Sequence, residues 1–316
     1  MKNKVVVIGS YNTDLTIKTS RIPRPGETVI GGIFSEGGGG KGANQAVAAV
    51  RAGANVSFIA RVGNDVLGNE GIQRLTEEMI DTRHIFHDTE AATGVAFIVV
   101  DERGENSIVV ASGANARLTP GDIETAADEI SSASVLLVQL ESPLDTVRAA
   151  IRKAHQHGAA VILNPAPAHP LDPALLKEID IITPNKVEAE MITGIKVTDD
   201  DSLRAIVGKF FDFGIKNVLI TLGSKGVFAG LPGFMEHLPA FKARSVDSTG
   251  AGDVFSGSLA AFLSEEMTVE KAARMANAAA SISVTRMGAQ NAAPRRMEIE
   301  NFITSYASAE AEALNS

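Results

Sequence analysis

The stretch Val135-Leu136-Leu137-Val138-Gln139-Leu140, followed by amphipathic Leu144–His157 and then Val161-Ile162-Leu163, reads as strand, helix and strand. Both apolar runs are continuous rather than alternating, as expected of strands buried on both faces. Towards the N-terminus, Val5-Val6-Val7-Ile8-Gly9 and Val56-Ser57-Phe58-Ile59-Ala60 read the same way. Towards the C-terminus come a short strand near Ile181, helix-like Ser202–Phe213 and the strand Val218-Leu219-Ile220-Thr221-Leu222. Buried strands separated by helices predict an α/β fold, a mainly parallel central sheet covered by helices on both faces. Two segments break that rhythm. Leu15–Ile33 carries the turn Arg24-Pro25-Gly26, and Thr93–Ala111 alternates like a hairpin around Asp101-Glu102-Arg103-Gly104. They predict a small β-strand lid, formed by about residues 14–36 and 93–112, on a single domain spanning 1–316. No repeat or low-complexity linker divides the chain, and the tail from Ser305 to Ser316 is expected to fray.

Composition narrows the function. A chain of 316 residues can bury a large core, and 45% hydrophobic with 21% charged residues is the balance of a globular protein. The absence of cysteine excludes disulfides, thiolate metal sites and cysteine nucleophiles. A net charge of −9, with the basic residues scattered, argues against a nucleic-acid partner. No apolar run reaches the length of a membrane span, and Met1-Lys2-Asn3-Lys4-Val5 leads into a strand without a cleavable signal. A cytoplasmic protein with no membrane partner is expected. His155 and His157 stand two apart on a helix and cannot face one metal together.

The chemistry gathers in two glycine-containing runs. In Val246-Asp247-Ser248-Thr249-Gly250-Ala251-Gly252-Asp253, small residues leave backbone N–H groups unobstructed where a helix begins. The helical spacing of Phe255, Leu259, Phe262 and Leu263 marks that start. Such a terminus suits a phosphate or a developing negative charge, with Asp253 placed to take a proton from a hydroxyl. A plain glycine-rich turn with a favourable first-turn acid is the alternative. The second run, Gly37-Gly38-Gly39-Gly40-Lys41-Gly42-Ala43-Asn44, precedes the helix-like Gln45-Ala46-Val47-Ala48-Ala49-Val50. It is not a Walker A loop, since Ser35 holds the first glycine position and Gly42 follows Lys41. No obvious strand runs straight into it, as a dinucleotide fingerprint requires. Its glycines admit a small polar ligand close to the backbone, and Asn44 offers a donor and an acceptor.

Ligands of such sheets bind beyond the carboxyl ends of the strands. The polar residues expected there are Ser10, Asn12 and Asp14, then Glu141, Asn164, Thr183-Pro184-Asn185 with Glu188, and Thr221-Leu222-Gly223-Ser224-Lys225-Gly226. Singly, each is compatible with an ordinary loop polar or helix cap.

Asn12-Thr13-Asp14, Gly39-Gly40-Lys41-Gly42-Ala43-Asn44, Thr183-Pro184-Asn185 with Glu188, and Asp247 to Asp253 resemble, in order and spacing, the ribokinase-like carbohydrate kinases. The likeness runs from Val5 to about Phe302. Gly42 to Ala49, Leu140-Glu141-Ser142-Pro143, Asn164 to Ala168 and Gly288-Ala289-Gln290 point to the ribokinase branch. The resemblance implies ATP-dependent phosphorylation of the 5-hydroxyl of a furanose such as ribose. By likeness, Asp253 is the general base and the Gly250, Ala251 and Gly252 amides form the anion hole. Asp14, Gly40, Asn44 and Glu141 hold the sugar hydroxyls, with Asn12 and Lys41 close by and Ala96 and Ile98 as apolar cover. Asn185 and Glu188 organise Mg2+ largely through water. Thr221, Gly223, Gly226 and Gly252 line the ATP site together with Asn185, and Asn277 lies near the adenine or its ribose. An activating K+ is expected beside Asp247, Thr249, Ser283 and Gly288. Lids of this family pair between subunits, which implies a homodimer.

Gly38 and Ala292 depart from the branch, which tends to carry a bulkier residue at the first and often a serine at the second. They imply a looser loop and a weaker case for K+. Two rival readings remain. One is another acceptor, such as deoxyribose, fructose or a nucleoside, although Asn12 favours a full set of hydroxyls. The other is a non-catalytic sugar-binding protein on the same fold.

Overall fold

The structure is a computed structural model and describes residues 3–314. Met1 and Lys2 of the expected signal-free start, and the last two residues of the expected frayed tail, lie outside the described residues. The first strands are β1 (Lys4–Ile8), β2 (Asn12–Lys18), β3 (Ile33–Gly39), β4 (Asn55–Gly63), β5 (Asp81–Asp88), β6 (Gly94–Val100) and β7 (Asn106–Ala111). The rest are β8 (Val135–Val138), β9 (Ala160–Leu163), β10 (Ile181–Ile182), β11 (Asn217–Thr221), β12 (Val227–Leu231) and β13 (Phe234–Leu238). A nine-stranded sheet has the order β13-β12-β11-β10-β9-β8-β1-β4-β5. From β11 to β5 neighbouring strands are parallel, while β12 and β13 add an antiparallel edge.

Side-chain alternation explains the two faces. Val5 and Val7 enter one apolar core and Val6 and Ile8 the other. The first core also takes Ala46 and Val47 from the helix Lys41–Arg51 and Phe255 and Leu259 from the helix Ala251–Ser264. The second takes Val147 and Ile151 from Leu144–Gln156 and Ile206 and Phe210 from Asp200–Asp212. Burying each of these Val, Leu, Ile and Phe side chains stabilises the fold by about 1.5–3 kcal/mol.

Three strands of the nine-stranded sheet escape the sequence pattern. β5 is an edge strand reading Asp-Thr-Arg-His-Ile-Phe-His-Asp, and only Ile85 and Asp88 in it are buried. The hairpin β12–β13 is short and carries Gly230 and the turn at Gly233. The strand expected over Val135–Leu140 stops at Val138, leaving Gln139 and Leu140 past its end. The C-terminal segment Arg296–Leu314 is helical, so the expected fraying from Ser305 is corrected up to Leu314.

A four-stranded sheet, ordered β3-β2-β6-β7, forms the lid. β2 pairs antiparallel with β3 and parallel with β6, and β6–β7 is the hairpin read from Thr93–Ala111. Here one expectation is overturned. A strand does run straight into the glycine run: β3 ends at Gly39 and the helix Lys41–Arg51 starts two residues later. Glycines hid it, because they carry no apolar alternation to read.

The helices Lys41–Arg51 and Ala251–Ser264 pack unusually closely. A Cβ on Gly257 would stand 2.3 Å from the Gln45 carbonyl oxygen. This approach brings the N-terminal turns of both helices to one place.

Candidate active site

Gly250 precedes the helix Ala251–Ser264 with φ 72°, in the left-handed region that glycine enters without strain. The turn places Asp253 in the first helical turn, beside donors with no intrahelical partner and the positive end of the dipole. Asp253 is only 6% exposed. Asn44 Nδ2 donates to its Oδ2 at 3.1 Å, and Gln45 Nε2 donates to its Oδ1 at 3.0 Å. Burial pushes its pKa up, while the Lys41 ammonium and these two carboxamides pull it back. Of the three amides expected to form the anion cradle, that of Ala251 donates to the Ser248 carbonyl at 3.2 Å. Of the expected cradle, the Gly250 and Gly252 amides remain.

The glycine run is an ordered edge of the same site. Gly40 caps the helix Lys41–Arg51 with φ 84°. Asp14 folds its carboxylate over Gly39, where a Cβ would lie 2.1 Å from Oδ1. The Glu141 carboxylate accepts from the Lys41 backbone N–H at 3.0 Å and from the Ser10 hydroxyl, so it sits on the helix N-terminus. Asp14 is pushed up to about 6 by burial and by the charges of Glu141 and Asp253. The Lys41 ammonium is held protonated more firmly by Asp253, Glu141 and Glu188. Asp14, Lys41, Asn44, Glu141, Glu188 and Asp253 thus share one electrostatic site. Asn12 is buried at its rim, its Oδ1 accepts from Asn115 Nδ2 at 2.8 Å, and its Nδ2 can donate to a ligand. Ala96 pairs with Asp14 across β2 and β6 and is 5% exposed.

Asn185 and Glu188 form a capping box on the helix Lys186–Thr193. Asn185 Oδ1 accepts from the Glu188 N–H at 2.9 Å, and Glu188 accepts from the Asn185 backbone and side-chain N–H groups, each at 2.8 Å. Glu188 is raised by burial and feels both Lys41 and Asp253. A single backbone bridge links Asn185 to Thr221, placing the pair beside the loop that carries Gly223 and Gly226. Gly226 must be glycine, because a Cβ would stand 2.2 Å from the Leu238 carbonyl oxygen. Asn277 Nδ2 donates to the Pro239 carbonyl at 2.8 Å and so pins the chain after β13.

Asp247, Thr249 and Gly288 are brought together. Asp247 Oδ1 accepts from the Thr249 N–H at 2.9 Å and hydroxyl at 2.6 Å, and Oδ2 accepts from the Gly288 N–H at 2.9 Å. Ser283 is buried, and its hydroxyl donates back to the Ala280 carbonyl at 2.9 Å. A cavity of about 960 Å3 opens between the lid and this loop, lined by Asp14, Lys18, Ile98, Asp247, Gly288 and Gln290 among others. Neither Asp253 nor the Thr221–Gly226 loop forms its wall. The looser loop expected at Gly38 is not found: the Gln290 side chain fills the space, with Oε1 2.4 Å from where a Cβ would be.

The model of the pfkB family carbohydrate kinases matches residues 2–296. The chain belongs to that family. A ribokinase of Haemophilus influenzae is 44% identical to this kinase over 303 residues, covering 96% of this chain and 99% of that one. A deoxyribokinase of Salmonella typhi is 36% identical, covering 95% and 98%. The structure of Arabidopsis thaliana ribokinase complexed with ribose and ATP matches with a TM-score of 0.89 at 29% identity, covering 96% of this kinase and 99% of that chain.

Sequence reasoning passed over Asn115, Gln45 and Gln139 of this kinase. Asn115 holds Asn12 and also exchanges hydrogen bonds with the Tyr11 backbone at 2.8 and 2.9 Å. Gln139 is a carboxamide at the end of an apolar run, and that was the available signal.

Proposed function

We propose that this kinase transfers the γ-phosphoryl group of ATP to the 5-hydroxyl of D-ribose, giving ribose 5-phosphate and ADP. The observation that carries the reading is the buried Asp253 carboxylate at a helix mouth, hydrogen-bonded by Asn44 and faced by Lys41. Asp253 accepts the hydroxyl proton as the sugar oxygen attacks the γ-phosphorus and the bond to the bridging oxygen breaks. The Gly250 and Gly252 amides receive the moving phosphoryl oxygens. Lys41 offsets the charge that gathers there.

The charge pattern favours a neutral polyol. Asp14, Glu141 and Asp253 already repel one another across the site. Hydroxyl donors relieve that repulsion, whereas a phosphorylated sugar would add to it. Asp14, Glu141, Asn44 and the Gly40 backbone supply the acceptors and donors for the sugar. With Asn12 Nδ2 as a donor to a sugar hydroxyl, a deoxy sugar forfeits about one hydrogen bond, roughly 1–3 kcal/mol. Deoxyribose is the second reading, favoured by the Salmonella typhi relative.

The donors present fit Mg2+. Among the described residues no three His, Asp or Glu cluster as metal ligands. A carboxylate and a carboxamide beside the nucleotide loop, Glu188 and Asn185, suit an ion that keeps several waters. Bound there, Mg2+ would neutralise the β- and γ-phosphate oxygens. The Asp247 carboxylate beside Thr249 and Gly288 gives K+ a hard oxygen ligand. The Ser283 hydroxyl, engaged with Ala280, is the weakest member of that set.

The lid covers the sugar with Ala96 and Ile98 and excludes water that would otherwise consume ATP. Its other face carries Ile17, Phe34, Phe97 and Val109, on neighbouring strands and 42–67% exposed. An apolar sheet face of this kind supports a homodimer through the lids. Use of ATP supports a cytoplasmic location. No helix among the described residues is long and apolar enough to cross a membrane. The test is ADP release measured over D-ribose, deoxyribose, fructose and nucleosides, with Mg2+ and with or without K+. The highest kcat/KM for D-ribose is expected, and another preferred acceptor would overturn the assignment.

A further inference from the structure

Behind Asp253 lies a set of buried carboxamides that the mechanism above leaves without a role. Gln45 and Gln139 are 0% exposed and Asn164 is 7% exposed. Asn164 Nδ2 donates to the Thr183 carbonyl at 2.9 Å, an atom that can only accept. Its Oδ1 is thereby turned to Gln45. Gln45 Nε2 donates one hydrogen to Asn164 Oδ1 and the other to Asp253 Oδ1, both at 3.0 Å. Gln45 Oε1 in turn accepts from Gln139 Nε2 at 2.6 Å. Every polar atom of the Gln45 side chain is in use. Rotating its amide by half a turn would set an oxygen against two acceptors and a nitrogen against a donor. Gly9 leaves room for Gln139, since a Cβ there would stand 2.0 Å from Oε1. The network thus has one arrangement, fixed at one end by a backbone carbonyl and at the other by the reacting carboxylate.

We infer that Gln45, oriented by Gln139 and Asn164, is a positioning residue that aims the Asp253 carboxylate at the acceptor hydroxyl and holds it as a proton acceptor. The inference rests on Asp253 being the general base. A carboxamide suits this role because it donates without bringing a charge. It steadies the ionised carboxylate and leaves Lys41 free to face the phosphoryl group. Other charged groups face Asp253 from every side. Lys41 comes from the helix that carries Gln45, Asp14 from β2, Glu141 from the segment after β8, and Glu188 from Lys186–Thr193. All of them persist when Gln45 is replaced, so a change in titration reports the lost donor.

Gln45→Met keeps the length of the side chain and removes both of its polar atoms. The measurement is kcat against pH on the full chain with saturating MgATP and D-ribose, together with KM and the thermal midpoint. At neutral pH kcat should fall by roughly tenfold or more. The acidic limb of the profile should move up by about one pH unit, because a donor to the ionised form has gone. KM for D-ribose should stay within about twofold. Gln139→Met leaves Gln45 in place but unfixed, and should move the limb in the same direction by less. It decides the matter if Gln45→Met does not fold. An acidic limb that stays put in either folded variant, or a loss confined to KM or to thermal stability, overturns the inference. Asp253→Asn runs alongside. Should that variant keep near-parental turnover, the base assignment itself fails; should it abolish turnover while the limb of the others is unmoved, only the role of Gln45 fails.

Discussion

Replacing Gly257 with alanine should slow phosphoryl transfer, although Gly257 is not among the residues placed around sugar or nucleotide. Its added Cβ would stand 2.3 Å from the Gln45 carbonyl oxygen, 2.8 Å from Ala48 Cβ and 3.1 Å from the Ala49 nitrogen. Non-bonded heavy atoms settle at about 3.5–4.0 Å, so the helices Lys41–Arg51 and Ala251–Ser264 must part by roughly 1 Å. The bonds from Asn44 and Gln45 to Asp253 span the same gap at 3.1 and 3.0 Å. Lengthened by roughly 1 Å, both pass beyond hydrogen-bonding distance. A displacement of that size at a reacting group costs about 100-fold in rate. Overpacking destabilises by about 1–3 kcal/mol, offset by about 0.5–1 kcal/mol from replacing a mid-helix glycine. The signature is therefore a large loss of kcat with a modest drop in thermal midpoint. Gly208, also within a helix, has nothing within 4 Å of its would-be Cβ. Gly208→Ala should leave kcat unchanged and raise stability by about 0.5–1 kcal/mol. ADP release and thermal melts on the two variants are the assay. A folded Gly257→Ala enzyme with kcat within about twofold of the parent would refute the coupling.

Asp253→Asn should cut kcat by at least about 100-fold with little change in sugar affinity, and near-normal turnover would remove it as the base. Glu188→Gln should raise the Mg2+ concentration needed for half-maximal rate, and an unchanged Mg2+ titration contradicts its metal role. The Asp14 carboxyl is pushed up to about 6, so the folded state holds its proton more tightly than the unfolded chain and stability falls as pH rises through that range. Asp14→Asn should then melt higher than the parent at about pH 8, lose that advantage below about pH 4, and show a raised KM for sugar. A gain that grows on acidification would invert the argument. Phe97→Glu, on the exposed apolar face of the lid, should lower the dimer fraction in light scattering, and an unaltered mass would place any dimer contact elsewhere.

The sequence displayed the fold wherever burial left a repeating pattern. Val5 to Ile8 and Val135 to Val138 are apolar at every position because each face of the sheet is covered, and that continuity marks the parallel strands. β5 gave no such sign, since an edge strand reading Asp81–Asp88 buries too little to impose one. The site was half legible for a related reason. Charged groups such as Asp253, Glu141 and Glu188 stand out at strand ends and helix starts. A neutral carboxamide such as Gln139 is marked only by its place at the end of an apolar run. Glycines misled most. From sequence a glycine signals freedom, and no strand could be read running into Gly37 to Gly40. At Gly39, Gly257 and Gly9 the missing Cβ instead records an atom already in its place: the Asp14 carboxylate, the Gln45 carbonyl and the Gln139 amide. Each of those atoms leads to Asp253, either in the site around it or in the network behind it. Gly39, inside a family motif, and Gly257 and Gly9, outside the site motifs, therefore answer to one physical demand. They let backbone and polar side chains crowd around a single carboxylate more closely than any larger residue would permit.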